Sequence, residues 1–117
     1  MRLEAGTLVL VPFPYSNLRA TKRRPAVVVS RREYNDQGPD ILVCAMTSNL
    51  ANSGHSVLVS QRDLVEGHLP KDSRVKVDRL ASLQKELMKP VGRLRPATMR
   101  QVYQELRSLF PDEALAN

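Results

Sequence analysis

Disulfides are the first thing this sequence rules out, because its 117 residues include a single cysteine, Cys44. A lone thiol cannot cross-link its own chain, and a reducing, cytoplasmic compartment is the simplest setting for it. No apolar run approaches the roughly 20 residues that span a bilayer, so no membrane association is expected. The opening Met1-Arg2-Leu3-Glu4-Ala5-Gly6 has no long apolar stretch behind its basic residue, so no secretory signal is expected either. GxGxxG, Walker, HExxH and paired CxxC motifs are all missing. His55 and His68 are the only histidines, too few companions to make Cys44 part of a zinc site, so no metal is expected. Cys44 lies between Val43 and Ala45, which argues for a buried, inert thiol. Internal repeats, low-complexity tracts and linker-like runs are also absent, so one domain over 1–117 is expected.

What is present suits a small globular protein. Hydrophobic residues at 42% and charged residues at 26% exclude a disordered composition. Lysine and arginine number 18 against 12 acidic residues, a net charge of +6. That balance favours anionic partners such as nucleic acid. A solvated basic surface explains it equally well.

Short apolar runs separated by turn formers dominate the first two-thirds. Strands are expected at Thr7 to Phe13, Pro25 to Ser30, Ile41 to Met46 and Ser56 to Ser60. Pro25 stands at the first position of its strand, where a missing N–H matters least. Val75 to Leu80 alternates apolar and charged residues, the pattern of a half-buried strand. The segment from Tyr34 to Asp40 is dense in turn formers. Ser82 to Leu87 has the makings of a short helical turn. The period then changes: Met99, Val102, Tyr103, Leu106, Leu109 and Phe110 share one helical face, with Pro96 in the first turn and Pro111 as the stop. Strands without regular intervening helices argue against a parallel sheet. A mainly β domain is expected, a compact antiparallel sheet or small barrel with one C-terminal α-helix packed on it.

Candidate chemistry gathers at segment ends. Arg19, Lys22, Arg23 and Arg24 form a basic cluster in the first loop. Thr47 and Ser48 stand where the third strand ends, and Lys76 and Asp78 fall on one side of a later strand. A planar guanidinium suits phosphate because it offers two parallel charge-assisted hydrogen bonds. Each group also has an ordinary structural reading: a solvated patch, turn chemistry, or a surface ion pair worth at most about 1 kcal/mol. Composition and spacing alone lead to a basic, β-rich domain with nucleic acid among its candidate partners.

The order of the segments adds to this. Gly6-Thr7-Leu8-Val9 is followed by Arg23-Arg24-Pro25-Ala26-Val27-Val28-Val29-Ser30. Then come Ile41-Leu42-Val43-Cys44-Ala45-Met46-Thr47-Ser48, Pro70-Lys71-Asp72-Ser73, Val75-Lys76-Val77-Asp78 and Val91-Gly92-Arg93-Leu94. In this arrangement, from about Gly6 to Phe110, the chain resembles the MazF/PemK family of toxins from type II toxin–antitoxin systems. The resemblance implies an SH3-like small barrel (CcdB/PemK-like) and a homodimer. It also implies sequence-specific, metal-independent cleavage of single-stranded RNA, with no cofactor. In that family the ribose 2′-OH attacks the adjacent phosphorus, usually leaving a 2′,3′-cyclic phosphate and a 5′-OH. The family's two catalytic positions fall on Arg24 and Thr47, with Ser48, Lys76 and Asp78 as auxiliary candidates. Arg19, Lys22, Arg23 and His55 are candidate RNA contacts, His55 also a displaced general acid. A cognate antitoxin with an acidic tail is the implied protein partner. Two departures from the family pattern bear on the cut sequence. The first loop lacks glycine and acid, and Arg79-Leu80-Ala81-Ser82 stands where many members carry Gln-Ile-Arg-Thr. A non-catalytic nucleic-acid- or protein-binding small barrel is the alternative reading, since small barrels host many functions.

Overall fold

The computed structural model describes residues 3–12, 23–51 and 54–112. Seven strands form one antiparallel sheet: β1 (Thr7–Val11), β2 (Arg24–Val28), β3 (Asp40–Thr47), β4 (Ser56–Val59), β5 (Leu64–Gly67), β6 (Ser73–Gln84) and β7 (Lys89–Leu94). A short helix α1 (Arg32–Gln37) joins β2 to β3, and helix α2 (Pro96–Arg107) closes the described chain. The spatial order is β4-β6-β3-β2-β1-β7-β5. The sheet curls into a half-barrel with α2 packed against it.

The curl has an identifiable origin. Cys44 of β3 pairs with Leu80 of β6, yet its neighbour Ala45 pairs with Lys76. Val77, Asp78 and Arg79 are therefore extra residues on β6, and a bulge of this kind bends a strand and raises its twist. The twelve-residue β6 thus serves β3 along its length and β4 at its start.

Alternation along the strands divides the apolar side chains between two clusters. Leu8, Val27, Cys44, Met46, Val75 and Val77 join Met99 and Val102 of α2 in the larger one. Val9, Val11, Ala26, Val28, Ile41 and Val43 form the smaller one on the other face, with Met88. Each fully buried valine or isoleucine stabilises the fold by about 1.5–3 kcal/mol, and β-branched side chains also fit the pleat. Helix α2 starts with proline in its first turn, as its sequence implies. It ends at Arg107, ahead of Pro111, and Phe110 remains 61% exposed instead of completing the apolar stripe.

Two elements depart from the sequence expectations. The turn-rich segment around Tyr34 holds α1, because Asn35 is buried and ties three parts of the chain together. Its Nδ2 donates to the carbonyls of Leu3 and Ser30, each at 3.0 Å, and its Oδ1 accepts from the Ser30 hydroxyl at 2.5 Å. Ser82 to Gln84 continue β6, leaving only Lys85–Leu87 as a 3-10 turn. β5 and β7 carry no clean alternation; their pairing brings Gly67 against Gly92. A Cβ on Gly92 would come within 2.7 Å of the Glu66 carbonyl oxygen, so only glycine allows this approach.

Candidate active-site cleft

β2 and β3 pair with Ala26 opposite Ala45 and Val27 opposite Cys44. Extending the same register by two residues sets Arg24 level with Thr47. Both residues line one cleft of about 350 Å³, together with Ser48. Leu8, Leu10 and Met46 give it an apolar lining, and the segment from His68 to Lys71 also borders it. Among the lining residues are two permanent cations, one imidazole and three hydroxyls, and no carboxylate. Such a cleft offers hydrogen-bond donors and positive charge on an apolar base, the requirements for a phosphodiester with an attached nucleobase.

The hydroxyl of Thr47 has a defined orientation. Its Oγ1 accepts the backbone N–H of Asn49 at 3.1 Å. The hydroxyl keeps its own proton to donate. The loop beyond is held in turn: Ala51 N donates to Asn49 Oδ1 at 3.1 Å, and Arg74 Nε donates to the Leu50 carbonyl at 3.0 Å. Arg74 also reaches the Ser56 hydroxyl at 3.3 Å and stands directly across from Thr47 on β6. Arg24, Thr47 and Arg74 thus lie in one cross-strand row.

The remaining sequence candidates are distributed as follows. Arg23 donates to the carbonyls of Leu87 at 3.0 Å and Leu10 at 3.5 Å, which ties the end of the first loop to the 3-10 turn. Arg19 and Lys22 lie outside the described residues. Lys76 sits one row behind Arg74, opposite Ala45, and Asp78 falls in the β6 bulge. Neither lines the cleft, and among the described residues no ion pair joins them. His55 faces α2 instead, with its Nδ1 4.0 Å from a Glu105 carboxylate oxygen. The sequence reading missed His68, Lys71 and Arg74. A usable signal existed for the first two: Gly67-His68-Leu69-Pro70-Lys71 puts an imidazole between a flexible residue and a stiff one, with an ammonium directly after. For Arg74 there was none, because strand register cannot be read from alternation alone.

Cys44 takes no part. It is fully buried, and burial together with the nearby charge of Asp78 pushes its thiol up to about 12. Among the described residues no group of three or more His, Cys, Asp or Glu side chains converges on a metal-sized site, and no helix is long and apolar enough to cross a membrane.

The profile of the PemK-like, MazF-like toxins of type II toxin–antitoxin systems matches residues 4–110. The chain belongs to this family. Solved structures of similar fold agree. MazF from Deinococcus radiodurans is 25% identical, with a TM-score of 0.73 over 93% of this chain and 96% of that one. The MazE–MazF complex of the same organism gives 24% identity and a TM-score of 0.73, covering 93% of this chain and 95% of the other. An endoribonuclease in complex with its cognate antitoxin, from a Mycobacterial species, gives 19% and 0.69 over 92% and 91%. No curated protein matches the sequence. Within the PemK/MazF frame, the Arg-Pro step at the start of β2 and the Thr-Ser step at the end of β3 border one cleft.

Proposed function

We propose that this PemK/MazF-family chain is a sequence-specific endoribonuclease toxin that cleaves single-stranded RNA in the cleft between Arg24, Thr47 and the His68–Lys71 loop. The observation carrying this reading is the juxtaposition of a guanidinium and an oriented hydroxyl on facing strand ends, in a cleft free of carboxylates.

The chemistry follows from charge. Attack of the ribose 2′-OH on the adjacent phosphorus concentrates negative charge on the phosphoryl oxygens. Arg24 stabilises that charge, and the rigid, proline-led strand preorganises it; a donor of this kind contributes about 3–4 kcal/mol to the transition state. Thr47 donates a hydrogen bond from its hydroxyl to a phosphoryl oxygen, with Ser48 beside it; the 2′-OH proton passes to water and the departing O5′ takes up a proton. The O2′–P bond forms as the P–O5′ bond breaks, leaving a 2′,3′-cyclic phosphate and a 5′-OH. No step calls on a metal ion. Lys71 and the row of Arg74 and Lys76 meet neighbouring phosphates, as do Arg19, Lys22 and Arg23 from the first loop, while His55 and Asp78 are peripheral contacts. The apolar lining takes an unstacked base, which is how a short sequence is selected.

The same positive surface suits an antitoxin with an acidic tail that folds along it and imitates RNA phosphates. The active species is a cytoplasmic homodimer. The test is cleavage of a diverse RNA pool in EDTA, followed by end mapping. A short shared motif with new 5′-OH ends is expected. Salt-dependent RNA binding without new ends would instead identify a binding module.

A further inference from the structure

The residue in the cleft that the Arg24/Thr47 chemistry leaves unused is His68. It lines the same cleft as those two residues and is the only imidazole there. Its backbone is held by an unusual clamp. The side-chain amide of Gln61 donates from Nε2 to the Gly67 carbonyl at 3.1 Å and accepts the Leu69 N–H at Oε1 at 2.6 Å. One side chain therefore pins the residues on both sides of His68. Gly67, at φ +91°, makes the turn that carries the chain out of β5. Pro70 stiffens the far side, and Ser73 Oγ donates to the Lys71 carbonyl at 3.0 Å to anchor the loop to β6.

The proposed cleavage also lacks a proton donor. The departing 5′-oxygen is a poor leaving group as an alkoxide, a guanidinium holds its protons too tightly to release one, and a threonine hydroxyl is a weak acid. Imidazole is the side chain that exchanges a proton near neutral pH. We infer that His68 is the general acid of this cleft and that Gln61 is its positioning residue. The inference rests on the ribonuclease reading given above. As O2′ bonds to phosphorus and the P–O5′ bond breaks, the 2′-OH proton passes to water. The His68 imidazolium gives its proton to O5′ and is reprotonated from solvent.

The test is single-turnover cleavage at the mapped cut site, as a function of pH, for wild type, His68→Ala, Gln61→Ala and Arg24→Ala. Two RNA oligonucleotides are compared, one normal and one with sulfur replacing the bridging 5′-oxygen. Sulfur leaves without protonation, so it bypasses a missing acid. On normal RNA, His68→Ala is expected to lose about 10²- to 10⁴-fold and to lose the alkaline fall in rate that marks an ionising imidazolium. Gln61→Ala should lose less, with the same signature. Both variants should approach wild type on the sulfur substrate, whereas Arg24→Ala should stay slow on both. His68→Ala cleaving normal RNA at the wild-type rate, or staying equally slow on both substrates, overturns the assignment while leaving the Arg24/Thr47 reading intact. Wild type that cleaves neither substrate overturns both. Thermal melting of each variant separates loss of chemistry from loss of fold.

Discussion

The two ends of the β2–β3 pair follow opposite rules. Toward Val28 and Val43 the strands run into a closed polar network, in which Ser30 Oγ donates to Asn35, accepts the Leu42 N–H at 3.0 Å and is itself buried. There the polar atoms have found partners within the protein. At the other end, Ala26 and Ala45 are fully buried, yet the next row outward, Arg24 and Thr47, opens on the cleft. The polarity of the first end maintains the fold. That of the second end borders the cleft. The difference lies in exposure: a buried polar group without a partner costs about 1–3 kcal/mol, so the buried end must close its hydrogen bonds within the protein, whereas the exposed Arg24 end is under no such demand.

This contrast is sharpest in its largest expected effect. Arg24→Ala should reduce RNA cleavage about 10²- to 10³-fold at a smaller cost in melting temperature than a core truncation, since Arg24 is exposed. Thr47→Val should act in the same direction. A melting temperature that collapses with either change would move that row to the structural side of the comparison. Ile41→Ala, in the smaller core cluster, should do the reverse, costing about 2–5 kcal/mol in chemical denaturation with cleavage retained by the folded fraction. Asn35→Ala should cost about 2–3 kcal/mol, because it strands the Leu3 and Ser30 carbonyls without a donor. A neutral result there would show that the network is not needed.

A smaller effect concerns pH and the start of α2. Burial pushes the Asp63 carboxyl up, but the Ser60 N–H, the Thr98 and Ser60 hydroxyls and the charge of Arg62 outweigh it and leave it below the usual carboxylate range. The Thr98 hydroxyl donates to Asp63 at 2.9 Å. A lowered folded value means that the unfolded chain takes up the proton first. Asp63 therefore contributes stability above the ordinary carboxylate range, and that contribution fades as pH falls through its lowered value. Thr98→Val should cost about 1 kcal/mol near neutrality and less in acid, as followed by melting across a pH series. An equal cost at every pH would separate Thr98 from the ionisation of Asp63.

Much of this molecule was legible in its residues. Valine-rich runs located β1 to β4, the Val75 to Leu80 alternation located the middle of β6, and Pro96 with the stripe from Met99 to Leu109 located α2. Tyr34 to Asp40 misled because turn propensity is local, whereas α1 is held by Asn35 reaching back to Leu3, 32 positions away. β5 and β7 escaped because glycine pairing carries no hydrophobic period. Of the two histidines, the one first favoured for chemistry, His55, sits beside Glu105 of α2, and His68 lines the cleft. His55 is the nearer of the two to Thr47 along the chain, so sequence distance does not predict which histidine lines the cleft.

By itself, the sequence determined that this chain folds as a basic, mainly β domain with a terminal helix. Side-chain period and apolar content are local properties, and they settle which segments can bury a face. Only the tertiary structure decided which polar side chains share a cleft. Register, the β6 bulge and the Gln61 clamp set those neighbours, and each depends on contacts between residues that pattern alone cannot pair.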